Sequence, residues 1–146
     1  MNRVNWTSRV FIKKEERMRK FFKTGLACFC FVMMLGFTAQ AGTEFADFNT
    51  TVGKFNGSGY TGTQRKAYSG ANGYVSTSSV GGGYSVDARM VSGNIKGGWT
   101  RGISGNCGQE LPGNSQQKKG KNVRVQFSNN ITTPVNVQVT GRWKSN

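Results

Sequence analysis

The side chains most often used for chemistry are scarce here. The 146 residues include three cysteines, six carboxylates and no histidine. Without histidine, the Ser-His-Asp triad, the Cys-His dyad and histidine-ligated zinc each lack a central member. Two carboxylates can hydrolyse a glycoside when one keeps its proton and the other is ionised. Asp87 and Glu110 are the pair to consider, because Glu44 and Asp47 lie close to the start of the domain delimited below. No run of acids or cysteines has metal-ligand spacing, so neither a metal nor a cofactor is expected.

Three motifs match enzyme signatures in letters only. Gly57-Ser-Gly-Tyr-Thr-Gly62 fits G-x-G-x-x-G, which binds dinucleotides when it joins a strand to a helix. Thr63 to Tyr68 is β-like and Gly70 follows soon after, so no helix is expected. Ser115-Gln-Gln-Lys118 fits S-x-x-K, a spacing that works on a helix, yet it stands beside Pro112 and Gly113. Gly113 to Lys121 has too many residues between its glycines for a phosphate loop, and Asn122 replaces the required Ser or Thr.

What is well supplied is positive charge interleaved with aromatic rings: Tyr60, Arg65, Lys66, Tyr68, Tyr74, Tyr84, Arg89, Lys96, Trp99 and Arg101. Cations beside rings can hold an anionic polymer while stacking on its planar units. The candidate binding residues are Lys96, Trp99 and Arg101 in one segment, and Lys118, Lys119 and Lys121 in a loop. Aromatics in alternating strands also face cores, and three lysines also make a solvated turn.

The elements that place these residues begin with the leader. An uncharged apolar run, 24–38, ends in Ala39-Gln40-Ala41 and follows Arg17, Arg19, Lys20 and Lys23. A basic flank, a short apolar core and a small-x-small tripeptide make a secretory signal peptide, cleaved after Ala41. The run is shorter than the ~20 residues that span a bilayer, and no polar face marks it as a core helix. Cys28 and Cys30 precede most of the run, which is the wrong place for lipidation. Residues 1–17 carry Glu15 and Glu16, and Met18 would begin a signal of ordinary length.

Residues 42–146 then form one secreted, extracellular domain, with twelve Lys or Arg against four Asp or Glu, a net of +8. Outside a cell, that charge favours an anionic cell-envelope polymer or a membrane surface. Cys107 is the domain's single cysteine, so the expected state is a monomer without internal disulfide, a Cys107-linked dimer being the other option.

Six or seven short strands are legible by alternation: 45–55, 60–68, 74–80, 84–91, 95–103, 122–129 and 135–144. The last two read as a hairpin, with Val123, Val125, Phe127, Val135, Val137, Val139, Gly141 and Trp143 inward. Ser104 to Lys121 reads as the longest loop. The predicted class is all-β, a small antiparallel sandwich or barrel.

The signal, the Gly/Asn/Ser-rich strands and the closing Val137-Gln-Val-Thr-Gly-Arg-Trp143 resemble the small secreted β-sandwich proteins of Gram-positive bacteria, some of them lactococcin-like bacteriocins. The resemblance implies a sandwich and, for the bacteriocin members, antibacterial action. The chain departs from those members in lacking histidine and in its longer leader, so no functional residue carries over. The reading is a non-enzymatic binding protein for an anionic surface or polymer. A bacteriocin-like protein is the alternative, and a small hydrolase with the Asp87–Glu110 pair is the second.

Overall fold

The computed structural model describes residues 42–146, and the expected signal peptide, with its expected start and cleavage point, lies outside the described residues. Ten strands form two antiparallel sheets: β1 (Ala46–Val52), β2 (Ser58–Tyr60), β3 (Gln64–Arg65), β4 (Gly73–Val80), β5 (Val86–Ser92), β6 (Ile95–Lys96), β7 (Thr100–Ile103), β8 (Cys107–Leu111), β9 (Asn122–Asn129) and β10 (Val137–Lys144). One sheet has the order β1-β10-β4-β8. In the other, β9 and β5 form the centre, β2 and β3 pair the outer side of β9, and β6 and β7 pair the outer side of β5. The fold is the all-β sandwich that the alternation predicts.

Alternation along the strands gives each sheet one dry face and one wet face. The dry faces meet in one core, which includes Phe48, Val52, Val75, Val139 and Trp143 from the first sheet and Ala88, Met90, Val123, Val125 and Phe127 from the second. Phe48 and Phe127 touch across the sandwich at 5.2 Å between ring centroids. Burying Phe127 and Trp143 stabilises the fold by about 2–3 kcal/mol each.

Three expectations need correction. The strands 122–129 and 135–144 are not a hairpin: β9 pairs with β2, β3 and β5, whereas β10 pairs with β1 and β4. The connection 130–136 crosses from one sheet to the other, so Phe127 and Trp143 point inward from opposite layers. The expected loop 104–121 contains strand β8, which pairs with β4 from Thr77↔Cys107 to Gly73↔Leu111. It is an edge strand held by backbone pairing, with Gly108, Gln109 and Glu110 exposed, so it carries no alternation to read. Segments 60–68 and 95–103 are each two short strands, because Thr61–Thr63 and Gly97–Trp99 interrupt the pairing. Gly97 passes so close to the carbonyl oxygen of Pro112 that a Cβ there would overlap it, so the position requires glycine.

Candidate polyanion-binding face

Outward positions of the second sheet follow directly from register. On β9, Val123, Val125 and Phe127 point inward, so Asn122, Arg124, Gln126 and Ser128 point out. Tyr60 and Arg89 both pair with Gln126, and Arg65 pairs with Asn122, which puts all three on the same wet face. Lys96 pairs with Val91, the outward neighbour of Arg124. The face therefore carries Arg65, Arg89, Lys96, Arg101 and Arg124 against the single acid Asp87.

Two of these arginines lie on aromatic rings. The Arg124 guanidinium sits 4.1 Å from the Tyr60 ring centroid, and that of Arg89 sits 4.1 Å from Trp99. Arg101 approaches the same Trp99 ring at 5.5 Å. Between the two stacks, Arg89 Nε donates to Gln126 Oε1 at 2.9 Å, and Gln126 Nε2 donates to Ser58 Oγ at 3.0 Å. A guanidinium held against a ring and fixed through one N–H loses less freedom on meeting an anion. Its remaining N–H edge suits a phosphate, sulfate or carboxylate.

Asp87 positions the third arginine. The pairing of β5 with β7 shifts register between Val86 and Ala88, so Asp87 faces a bulge at Arg101 and Gly102. Gly102, at φ 69°, donates its N–H to Asp87 Oδ1 at 3.0 Å, and Arg101 Nη1 pairs with Asp87 Oδ2 at 2.5 Å. Glycine suits the left-handed conformation at that position. The bulge turns Arg101 toward Trp99.

The predicted residues Lys96, Trp99 and Arg101 thus share one face, although Lys96 lacks a ring partner in the stacks described. Lys118, Lys119 and Lys121 are exposed on the adjoining turn. That turn is stitched down: Lys66 N donates to Lys121 O, Gly120 N to Lys66 O, and Lys119 N to Ser69 Oγ. Arg65, Tyr68 and Lys119 line an open depression of about 370 Å³ beside it. Sequence reasoning left Arg89, Arg124 and Tyr60 out of the site. The outward positions of Arg89 and Arg124 are legible by alternation, but the stacking depends on cross-strand register.

Other chemical candidates fall elsewhere. Lys66 is buried, with Nζ donating to Ala71 O at 2.5 Å and to Ser145 O, and with Met90 Sδ at 3.9 Å. Burial pulls its pKa down to about 8. Lys66 is therefore not a surface cation. Tyr74 lies on the opposite wet face against Phe45, and Tyr84 packs on the core. Glu110 pairs with Tyr74 and so shares that opposite face, its carboxylate accepting from Asn72 Nδ2 at 3.2 Å, whereas Asp87 lies on the basic face. Cys107 is half-buried against the core. Among the described residues no group of three or more His, Cys, Asp or Glu could hold a metal ion, and no helix is long and apolar enough to cross a membrane.

No family model, curated protein or solved structure matches this chain.

Proposed function

We propose that residues 42–146 are a secreted, non-enzymatic binding domain that engages an anionic cell-envelope polymer through the wet face of the β2/β3-β9-β5-β6/β7 sheet. The observation that carries this reading is the pair of stacks, Arg124 on Tyr60 and Arg89 on Trp99, set on either side of Gln126, the register partner of both Tyr60 and Arg89. An open sheet face suits an extended polymer better than a small ligand, which favours an enclosed cavity. The Lys118–Lys121 turn extends the basic surface at one end.

Each ring gives one face to its arginine, so the polymer meets guanidinium edges first. The favoured ligand is therefore chosen by its oxyanions more than by planar units that stack. The reading is tested by binding of residues 42–146 to cell-wall fractions and to a soluble polyanion over a salt series. Affinity should fall steeply as salt rises, because exposed charges are screened within ~10 Å at 0.1 M. Absent or salt-insensitive binding would remove the proposal. Growth inhibition of neighbouring strains tests the antibacterial version implied by the resemblance.

A further inference from the structure

Four connections meet at the end of the sandwich away from the lysine turn: 53–57, 81–85, 104–106 and 130–136. Register places them together, since Val52 pairs with Val137, Val80 with Val139, and Val86 with both Asn129 and Ile103. None of these connections contains a carboxylate, and Lys54 is their single charge. Two of them carry Phe55, Ile131 and Val135, which are 56%, 70% and 45% exposed. Alternation had placed Val135 inside, but β10 begins only at Val137, and Val135 belongs to the turn.

The geometry of Phe55 is held in place. Its φ is 52° and that of Asn56 is 65°, in the left-handed region where a bulky residue is rare. A turn that had only to reverse the chain would put Gly or Asn there. Here Phe55 N donates to Thr133 O at 2.8 Å, Lys54 N to Asn136 Oδ1 at 3.0 Å, and Asn56 N to Asn130 O at 3.4 Å. These bonds bind the two loops into one unit with the phenyl ring outward. Lys54 Nζ lies 5.7 Å from the ring centroid.

We propose that this end is a second contact surface, which inserts Phe55, Ile131 and Val135 into the interface of a lipid bilayer bearing anionic headgroups. Loop tips project where a protein partner would need a matching groove, whereas a bilayer interface deforms around them. Three side chains fall well short of the ~800 Å² per partner in a stable protein interface, which disfavours a second copy as the occupant. No carboxylate on these loops repels anionic headgroups, and Lys54 stands beside the ring to meet a phosphate. The net +8 of the domain brings it to such a surface.

This inference is independent of the basic sheet face, and the test separates the two. Residues 42–146 contain both sheets and the whole core, so they are the unit to use, free of the apolar run 24–38 that would itself enter lipid. With vesicles of phosphatidylcholine and phosphatidylglycerol, a Phe55→Trp protein that also carries Trp99→Phe, leaving buried Trp143 as its one other indole, should shift its emission to the blue and be quenched by brominated acyl chains, unlike the Trp99→Phe parent. Phe55→Ser with Ile131→Ser should weaken vesicle partition by roughly tenfold or more, with an unchanged melting temperature and unchanged polymer affinity. Arg89→Ala with Arg124→Ala, placed in the Phe55→Trp protein, should retain the blue shift. Vesicle binding without a shift or quenching at position 55 would overturn the inference, as would full partition by the double serine protein. A concentration-dependent dimer that these serines abolish, without vesicle insertion, would assign the surface to a second copy instead.

Discussion

The two wet faces of the sandwich use similar residue types to different ends. On the β2/β3-β9-β5-β6/β7 sheet, five cations face one acid, and Arg124 and Arg89 lie on Tyr60 and Trp99. On the β1-β10-β4-β8 sheet, Arg142 and Lys144 are balanced by Asp47, which pairs with Arg142, and by Glu110. Both cations there approach a single ring, Phe45, at 4.9 and 5.4 Å, and that ring packs edge-on to Tyr74. Stacked cations alone therefore do not distinguish the faces. What differs is the charge left over once cross-strand neighbours are counted, and that excess is what an anionic polymer meets.

The most drastic way to break the comparison is to remove what both faces rest on. Trp143 is 1% exposed in the shared core, on β10. Trp143→Ala should cost about 3–5 kcal/mol, leaving the domain largely unfolded and both faces lost. A circular dichroism melt checks this, and a native melt would show that the sheets hold without their largest buried side chain.

Lys66 sharpens the charge count, because it is the cation that burial removes from either face. Its pKa is lowered from 10.5 to about 8. Below pH 8 the folded and unfolded chains both hold the proton. Between about pH 8 and 10.5 the folded chain releases it while the unfolded chain keeps it, so stability rises with pH. Relative to Lys66→Met, the wild type should gain up to roughly 3 kcal/mol across that window. Chemical denaturation of both proteins at several pH values measures the difference, which isolates Lys66 from the other titrating groups. A flat difference would place Lys66 in contact with water.

The comparison itself is tested by paired substitutions. Arg89→Ala with Arg124→Ala should weaken polyanion binding about 10- to 100-fold, which is about 1.4–2.7 kcal/mol in total for two solvent-exposed charge-assisted contacts. Arg142→Ala with Lys144→Ala removes the same charge from the balanced face and should change affinity less than about twofold at moderate salt. Equal losses would mean that net charge decides binding and position does not. Replacing Lys118, Lys119 and Lys121 with Gln should fall between these results with little change in melting temperature; unaltered affinity would confine the contact to the sheet.

Much of this layout was readable from the residues. The alternation of 84–91, 122–129 and 135–144 told which side chains point inward, Val135 excepted, so it also placed Arg89, Arg124 and Arg142 outside. Local pattern could not assign those strands to sheets. β9 and β10 each bury one face equally well whether paired with each other or lying in opposite layers. The Arg124–Tyr60 stack joins residues 64 apart in sequence, and only the pairing Tyr60↔Gln126 brings them together. β8 was invisible because edge pairing through the backbone needs no apolar alternation. Lys66 was misread because its burial depends on carbonyl groups of Ala71 and Ser145, which no side-chain pattern announces.

The smallest expected effect belongs to Asp87, the one acid on the basic face. Its ion pair with Arg101 is largely exposed on the arginine side, at 70%, so it contributes little to stability. Its Oδ1 also accepts the Gly102 N–H that forms the bulge. Asp87→Asn removes the charge but can keep an amide oxygen at that position, whereas Asp87→Ala removes both. The asparagine protein should melt within a degree or two of wild type and bind polyanion about two- to threefold more tightly, since one repulsive charge is gone. The alanine protein should lose about 1 kcal/mol from the unmade hydrogen bond. It should also lose part of the affinity gain, because Arg101 is no longer directed toward Trp99. If both variants bind equally, the bulge has no part in presenting Arg101, and the basic face reduces to the two stacks around Gln126.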